Sequence, residues 1–309
     1  MSSWTSADIP DQTGRTVLIT GANSGLGLRS AQALAGAGAR VILACRNPAK
    51  AADALTEVKA AASGAEPVTV ALDLADLSSV AACAQEVSQQ LTSIDVLMNN
   101  AGVMAIPRRD TVDGFEMQFG TNHLGHFALT GRLLPLLLDA PAPRVVTTSS
   151  QVHRTGSIRW DDPNWHKRYS KWGAYAQSKL ANLLFAYELD RRARAAGAAL
   201  VSVAAHPGYA ATHLQAVGPE MSGSALMARA TAFANRHIAQ SDVHGAWPLV
   251  YAATMDDVEG GSYYGPDGAF ELRGHPKLAR SSGRSRSEAD AARVWALSER
   301  DTGITYAWN

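Results

Sequence analysis

The stretch from Thr16 to Gly27 narrows the choice of fold more than any other. A short apolar and β-branched run, Val17 to Ile19, breaks into the glycines Gly21, Gly25 and Gly27, and an alanine-rich segment at helical spacing follows (Leu28, Ala31, Ala35). A run of that composition suits a strand buried on both faces. Strand, glycine turn and helix together make an anion site, because free backbone N–H groups and the positive end of the helix dipole face whatever lies over the turn. Glycine is needed there for positive φ and for close approach of a pyrophosphate, and the third glycine lets the helix pack near its strand. The spacing G-x-x-x-G-x-G differs from G-x-G-x-x-G, and no Gly-Lys-Ser/Thr follows, so the ATP-binding P-loop is excluded.

Segments of strand and helix character alternate after this turn, the pattern of a parallel sheet covered on both faces. Strands are expected at 40–45, 68–72, 96–98, 144–148 and 200–205, with a last one at 262–264. Helices are expected at 48–62, 78–91, 113–138, 174–196, 243–254 and 287–298. Residues 151–172 are polar and aromatic without periodicity and are read as a loop over the site. No repeat or linker divides the 309 residues. The expectation is an α/β fold with one Rossmann-type, doubly wound parallel sheet of about seven strands flanked by helices. It would form one domain over 1–309, with the part from about 209 onward supplying a substrate lid and tail.

Charge is balanced at 28 basic and 28 acidic residues, which gives no reason to expect nucleic acid or an anionic surface as partner. Cys45 and Cys83 lack metal-ligand spacing and read as buried thiols, so no metal is expected. The polar N-terminus does not resemble a signal peptide, and no apolar run nears the ~18 residues of a membrane span. A soluble, cytoplasmic protein is expected.

Three further groups carry chemistry. After the second strand, where a site preferring NAD presents a carboxylate, the chain shows Arg46 and no acid before Asp53. A guanidinium there suits a 2′-phosphate, so NADP(H) is the expected cofactor, with NAD(H) the alternative. Tyr175 and Lys179 stand four apart on one helix face. A nearby ammonium favours the phenolate and would bring the tyrosine pKa from about 10 toward the working range. Ser149 and Ser150 end the fifth strand, at the carboxyl edge where α/β sheets bind ligands. With no G-x-S-x-G elbow in the chain, hydrogen bonding to a substrate oxygen is the better role.

With these residues in place the chain resembles the short-chain dehydrogenase/reductase superfamily over nearly all of 14–260. The resemblance rests on Thr20 to Gly27, Asp73, Asn99-Asn100-Ala101-Gly102, Asn122, Ser150, Tyr175-x-x-x-Lys179, and Pro207-Gly208 with Thr212. Ala44-Cys45-Arg46, the run Asn122 to Phe127, the run Tyr175 to Asn182 and the long gap from Ser150 to Tyr175 look like the retinol dehydrogenase and WW-domain oxidoreductase branch. Members of the retinol dehydrogenase group often carry a membrane anchor, and no run here is long enough for one.

The resemblance implies a tetrad in which Tyr175 exchanges the proton, Lys179 bonds the nicotinamide ribose and tunes Tyr175, Ser150 orients the carbonyl, and Asn122 holds a water. It also implies cofactor contacts from Gly21, Asn23, Ser24, Gly25, Leu26, Gly27, Leu74, Ala101, Gly102, Pro207 and Gly208. Asp73 would contact adenine, Asn99 the adenine ribose, and Thr212 the carboxamide. His123 and His126 lack a third ligand and read as structural; His153, three residues past Ser150, is a candidate for the substrate pocket. The expected activity is interconversion of a hydrophobic ketone or aldehyde with its alcohol. An NADP(H)-binding regulator and a reductase of an activated C=C bond are the alternatives. A homodimer or homotetramer is the expected assembly.

Overall fold

The computed structural model describes residues 4–209 and 240–308. Strands β1 (Thr16–Thr20), β2 (Arg40–Cys45), β3 (Val68–Ala71), β4 (Val96–Asn99), β5 (Arg144–Thr148), β6 (Val201–Ala205), β7 (Tyr263–Pro266) and β8 (Pro276–Leu278) form one sheet. Their order is β3-β2-β1-β4-β5-β6-β7-β8, parallel throughout except for the β7–β8 pair. The chain therefore reverses its winding between β1 and β4, which opens a crevice at the carboxyl ends of these strands. The expected order for the first six strands stands, and β7 is followed at the edge by an unexpected eighth. That strand has only three residues and begins with proline, so periodicity had nothing to register there.

Alternation along each strand feeds two cores. Val17, Ile19, Val41, Leu43, Val96 and Met98 point to one layer with α1 (Gly25–Gly36), α2 (Pro48–Ala61) and the helix Asp242–Thr254. Leu18, Ile42, Leu97 and Val145 point to the other, where α3 (Leu77–Gln90), α5 (Gly125–Leu138) and α6 (Lys171–Ala195) pack. Helix starts follow local capping: Asn47 Oδ1 accepts from the Lys50 amide with Pro48 at the first helical position, and Asp76 Oδ1 accepts from the Ser78 amide.

The long helix expected from 113 starts later. Gly114 takes φ +84° in a turn and Glu116 caps the short helix α4 (Met117–Phe119), its Oε2 accepting from the Phe119 amide at 2.8 Å. A π-helical stretch, Gly120–Leu124, then joins α4 to α5. The C-terminal third, expected as lid and tail, also builds the body of the fold. There Asp242–Thr254 forms α7, and Glu288–Thr302 forms α8, closed by Gly303 in the left-handed conformation. Trp295 of α8 lies fully buried against Phe127 and Phe185, with ring centroids 5.1 and 5.9 Å away.

Candidate active site

Six parallel strands deliver Gly21, Arg46, Asp73, Ala101, Ser150 and Gly208 to one edge of the sheet, since each follows the carboxyl end of its strand. At the first of these, Gly21 and Gly25 take φ of +66° and +51°. A Cβ on Gly21 would lie 2.9 Å from that of Ala101, and one on Gly27 only 2.4 Å from the Gly21 carbonyl oxygen. Ser24 precedes α1 without capping it, so the first amides of a twelve-residue helix keep no side-chain partner. Asn23 lies half-buried beside exposed Ser24, whereas Leu26 is buried under the turn. These features fit a pyrophosphate: bare backbone donors over a helix N-terminus.

Asn100 holds this cradle together. Its side-chain amide donates to the Thr20 carbonyl at 2.8 Å, while the Asn100 and Ala101 backbone amides both donate to Thr20 Oγ1 at 2.9 Å. In the sequence Asn100 is only one letter of the Asn99-Asn100-Ala101-Gly102 run, and this bonding gives it a task. Asn99, expected along the adenine ribose, ends β4. Its side chain is fully buried, donating through Nδ2 to Thr130 Oγ1 at 3.0 Å, because residues on a strand alternate faces and Asn99 turns into the layer under α5.

Exposed Arg46 and half-buried Asp73 end neighbouring strands, with the guanidinium 4.0 Å from the carboxylate. Asp73 Oδ1 also accepts from the Ala75 amide at 3.0 Å. Leu74 is buried, and its carbonyl closely underlies Gly125. Pro207 and Gly208 are half-buried, with Gly208 at φ +67°, and Thr212 lies outside the described residues.

Helix α6 carries the titratable pair. Ser170 caps it, accepting from the Gly173 amide, and places Tyr175 and Lys179 one turn apart. Both are buried. Lys179 Nζ donates to the Thr148 carbonyl at the end of β5 (3.1 Å), and Asn182, one turn on, donates to the same oxygen at 3.0 Å. That shared anchor places α6 at the serine. Helical spacing from Lys179 was the available signal for Asn182.

The ammonium lies 5.8 Å from the centre of the Tyr175 ring. Burial pushes the Tyr175 phenol up to about 12, opposed by the nearby Ser150 hydroxyl, and pulls Lys179 down to about 8. In the protein without cofactor, desolvation thus outweighs the lowering of the tyrosine that a nearby lysine favours. Trp172, 45% exposed, meets the Tyr175 ring edge-on at 6.1 Å and puts apolar surface beside the phenol.

The side chain of Asn122, expected to hold a water, is a clamp. Its Oδ1 accepts from the Val103 amide at 2.7 Å, and its Nδ2 donates to the Val103 carbonyl and to Ser178 Oγ, each at 2.9 Å. It seats the Gly102–Val103 loop against α6. A side chain on Gly102 would collide with it, since a Cβ there lies 2.9 Å from Asn122 Oδ1.

Ser149 turns inward and donates to the Lys179 carbonyl, while half-buried Ser150 begins the 3₁₀ turn Gln151–Thr155. His153, a candidate for the substrate pocket, is fully buried. Its Nε2 accepts from the Ser282 amide at 3.1 Å, so its proton sits on Nδ1, 2.6 Å from the Ser150 carbonyl. His126 Nδ1 is 2.9 Å from the Asn122 carbonyl and its Nε2 2.9 Å from Thr20 Oγ1; His123 Nε2 is 2.8 Å from Ser298 Oγ. Among the described residues no cluster could hold a metal ion, and no helix is long and apolar enough to cross a membrane.

A doubly wound sheet with a glycine cradle, and a Ser–Tyr–Lys constellation at the same edge, defines the class of nicotinamide-dependent oxidoreductases on a Rossmann-type fold. The profile of the short chain dehydrogenase family matches residues 15–222, and the chain belongs to that family, in its retinol dehydrogenase-like branch. It is 40% identical to retinol dehydrogenase 14 of Homo sapiens over 306 residues, 94% of this chain and 87% of that one. It is 36% identical to polyprenol dehydrogenase of Mus musculus, over 96% and 86% of the two chains.

Among solved structures, an uncharacterised protein from Mycobacterium paratuberculosis aligns with a TM-score of 0.80 and 45% identity, covering 99% of this chain and all of the other. A short chain dehydrogenase of Escherichia coli CFT073 complexed with NADPH aligns with a TM-score of 0.62 and 25% identity, over 82% and 97%. The protein is therefore an oxidoreductase of carbonyl and alcohol groups that uses a nicotinamide cofactor and a small-molecule substrate.

Proposed function

We propose that the protein is an NADP(H)-dependent enzyme that interconverts hydrophobic ketones or aldehydes with their alcohols, using Tyr175 as the acid–base group. The observation that carries this reading is the Lys179–Thr148 hydrogen bond, which fixes the Tyr175 helix at the end of the strand that leads into Ser150. The bound cofactor supplies the hydride. Ser150 orients the carbonyl by donating to its oxygen, and Tyr175 delivers the proton to that oxygen. Trp172 offers an apolar wall beside the phenol, which favours a hydrophobic substrate. A phenol pushed up to about 12 is fully protonated at neutral pH, the form needed to reduce a carbonyl. A screen of ketones and aldehydes, followed by NADPH absorbance with product analysis, tests the reading.

The same logic gives a pH dependence. Reduction needs a protonated phenol and a charged lysine, so its rate should hold through neutrality and fall as pH rises past about 8, where Lys179 loses its proton. Oxidation should rise with pH, because it starts from the phenolate. Parallel profiles in both directions would count against Tyr175 as the proton carrier.

NADP preference rests on Arg46, whose side chain is 70% exposed and held only by a long, 4.0 Å contact with Asp73 that a 2′-phosphate would compete for. Arg46→Asp should reverse the preference, through lost charge-assisted bonds and added repulsion. Titration of both cofactors against both forms decides it; tighter NADH binding by the wild type contradicts the assignment. The cradle residues from Gly21 to Gly27, with Asp73, Ala101, Gly102, Pro207 and Gly208, would hold the rest of the dinucleotide, and Thr212 belongs to the same proposal. A homodimer or homotetramer remains the proposed assembly, and light scattering that finds only monomer at micromolar concentration would remove it.

A further inference from the structure

Two successive residues with side chains, Phe270 and Glu271, take φ of +55° and +54° in the loop between β7 and β8. That region is sparsely populated for such residues and persists only where the surroundings hold it. Packing of Phe270 does not explain it, because that ring is 89% exposed. The conformation instead turns Glu271 inward. Its Oε2 accepts from Gln151 Nε2 and lies 3.1 Å from Nε2 of His206, which is fully buried.

The histidine tautomer follows from its other side: Nδ1 accepts from the Gly208 amide at 3.2 Å, so Nε2 carries the proton and donates to Glu271. Space for the pair exists because residue 265 is glycine; a Cβ there would lie 2.0 Å from His206 Nε2. The main chain backs the contact, with the Tyr209 amide donating to the Leu272 carbonyl at 2.7 Å. Gln151 directly follows Ser150, and His206 directly precedes Pro207–Gly208. A single carboxylate oxygen thus joins the turn that carries the substrate-side serine to the turn on the cofactor side.

We infer that Glu271 is a positioning residue for the reaction proposed above, on which this inference rests: through Gln151 and His206 it fixes the Ser150 turn relative to the Pro207–Gly208 turn. Small misplacements of an orienting group can cost about 10²-fold in rate, so a tie of this kind matters to turnover more than to binding.

The test uses the full chain with Glu271→Ala, Glu271→Gln and, should the alanine variant fail to fold, Gln151→Ala. Readouts are kcat and KM on a carbonyl substrate, NADPH affinity by fluorescence, and amide hydrogen exchange in residues 150–156 and 206–209. Glu271→Ala should lower kcat on the order of 10- to 100-fold while NADPH affinity moves less than about threefold, with faster exchange in both turns. Glu271→Gln keeps an oxygen that can accept from both donors and should retain kcat within about threefold. Gln151→Ala should lower kcat and speed exchange in 150–156 alone.

Unchanged exchange, unchanged kcat, equal damage by alanine and glutamine, or a fall in kcat matched by an equal fall in NADPH affinity would each overturn the inference. Exchange does not depend on turnover, so it tests the tie whether or not the proposed reaction stands. Retained turnover in Tyr175→Phe would refute that reaction separately.

Discussion

Replacing Tyr175 with phenylalanine should cut kcat by ~10²–10⁴-fold, the usual scale of general acid–base catalysis, and leave cofactor affinity almost unchanged. That range corresponds to about 3–5 kcal/mol of activation free energy. Phenylalanine keeps the ring, which lies buried on α6 next to Trp172, so only the hydroxyl is removed. Lys179 keeps its place because its hydrogen bond goes to the Thr148 carbonyl and none joins it to Tyr175. Lys179→Ala should behave differently, weakening cofactor binding and raising the apparent pKa of oxidation together. Ser150→Ala should lower turnover without moving that pKa, since serine does not titrate near neutrality. Steady-state kinetics of the three variants separate these roles. Wild-type turnover in Tyr175→Phe would mean that the proton travels by another group.

A second large effect is expected on stability in mild acid. Burial pulls His123 down to about 3, and His126 and His153 each to about 4, against an unfolded value near 6.5. The two with the higher values use their bare nitrogens as acceptors, His126 from Thr20 and His153 from Ser282. Because the folded values lie below the unfolded one, the unfolded chain binds protons first as pH falls. Stability is therefore full above about pH 6.5 and declines from there toward the folded values, by about 1.4 kcal/mol per pH unit for each histidine. Three together give about 4 kcal/mol per unit, against a typical total of about 5–15 kcal/mol. Urea midpoints measured from about pH 7 to about pH 5 test the effect, with lowered His206 adding to it and raised Glu116 and Asp190 opposing it. A flat profile there would show that these histidines are not held neutral.

The parts of the fold legible in the sequence are those set by local chemistry. Unbroken apolar runs marked β1, β2 and β5, and the glycines marked the turn over which a phosphate would lie. The spacing of Tyr175 and Lys179 predicts a shared helix face, and the two lie one turn apart on α6.

Orientation was less legible, because it depends on what packs above a residue rather than on the residue itself. Asn99 and Asn122 are chemically fit to touch a ligand, yet Asn99 Nδ2 donates to Thr130 and both ends of the Asn122 amide are bonded to Val103. The tyrosine pKa depends on burial in the same way. The lysine was in view, but the burial of both groups was not. The β7–β8 loop left no sequence signal at all: left-handed φ at Phe270 and Glu271 is imposed by tertiary contacts on residues that do not prefer it.

The central claim is hydride transfer from NADPH to a carbonyl carbon at the Ser150–Tyr175–Lys179 edge. NADPH deuterated at C4 of the nicotinamide, incubated with the protein and a panel of hydrophobic ketones, aldehydes and conjugated enones, tests it by mass spectrometry of the products. The account predicts deuterium on the carbon that bears the new hydroxyl, with NADP formed in equal amount and transfer by Tyr175→Phe slowed ~10²–10⁴-fold. Deuterium on a carbon of a former double bond, or NADPH that binds and is never consumed, would contradict it.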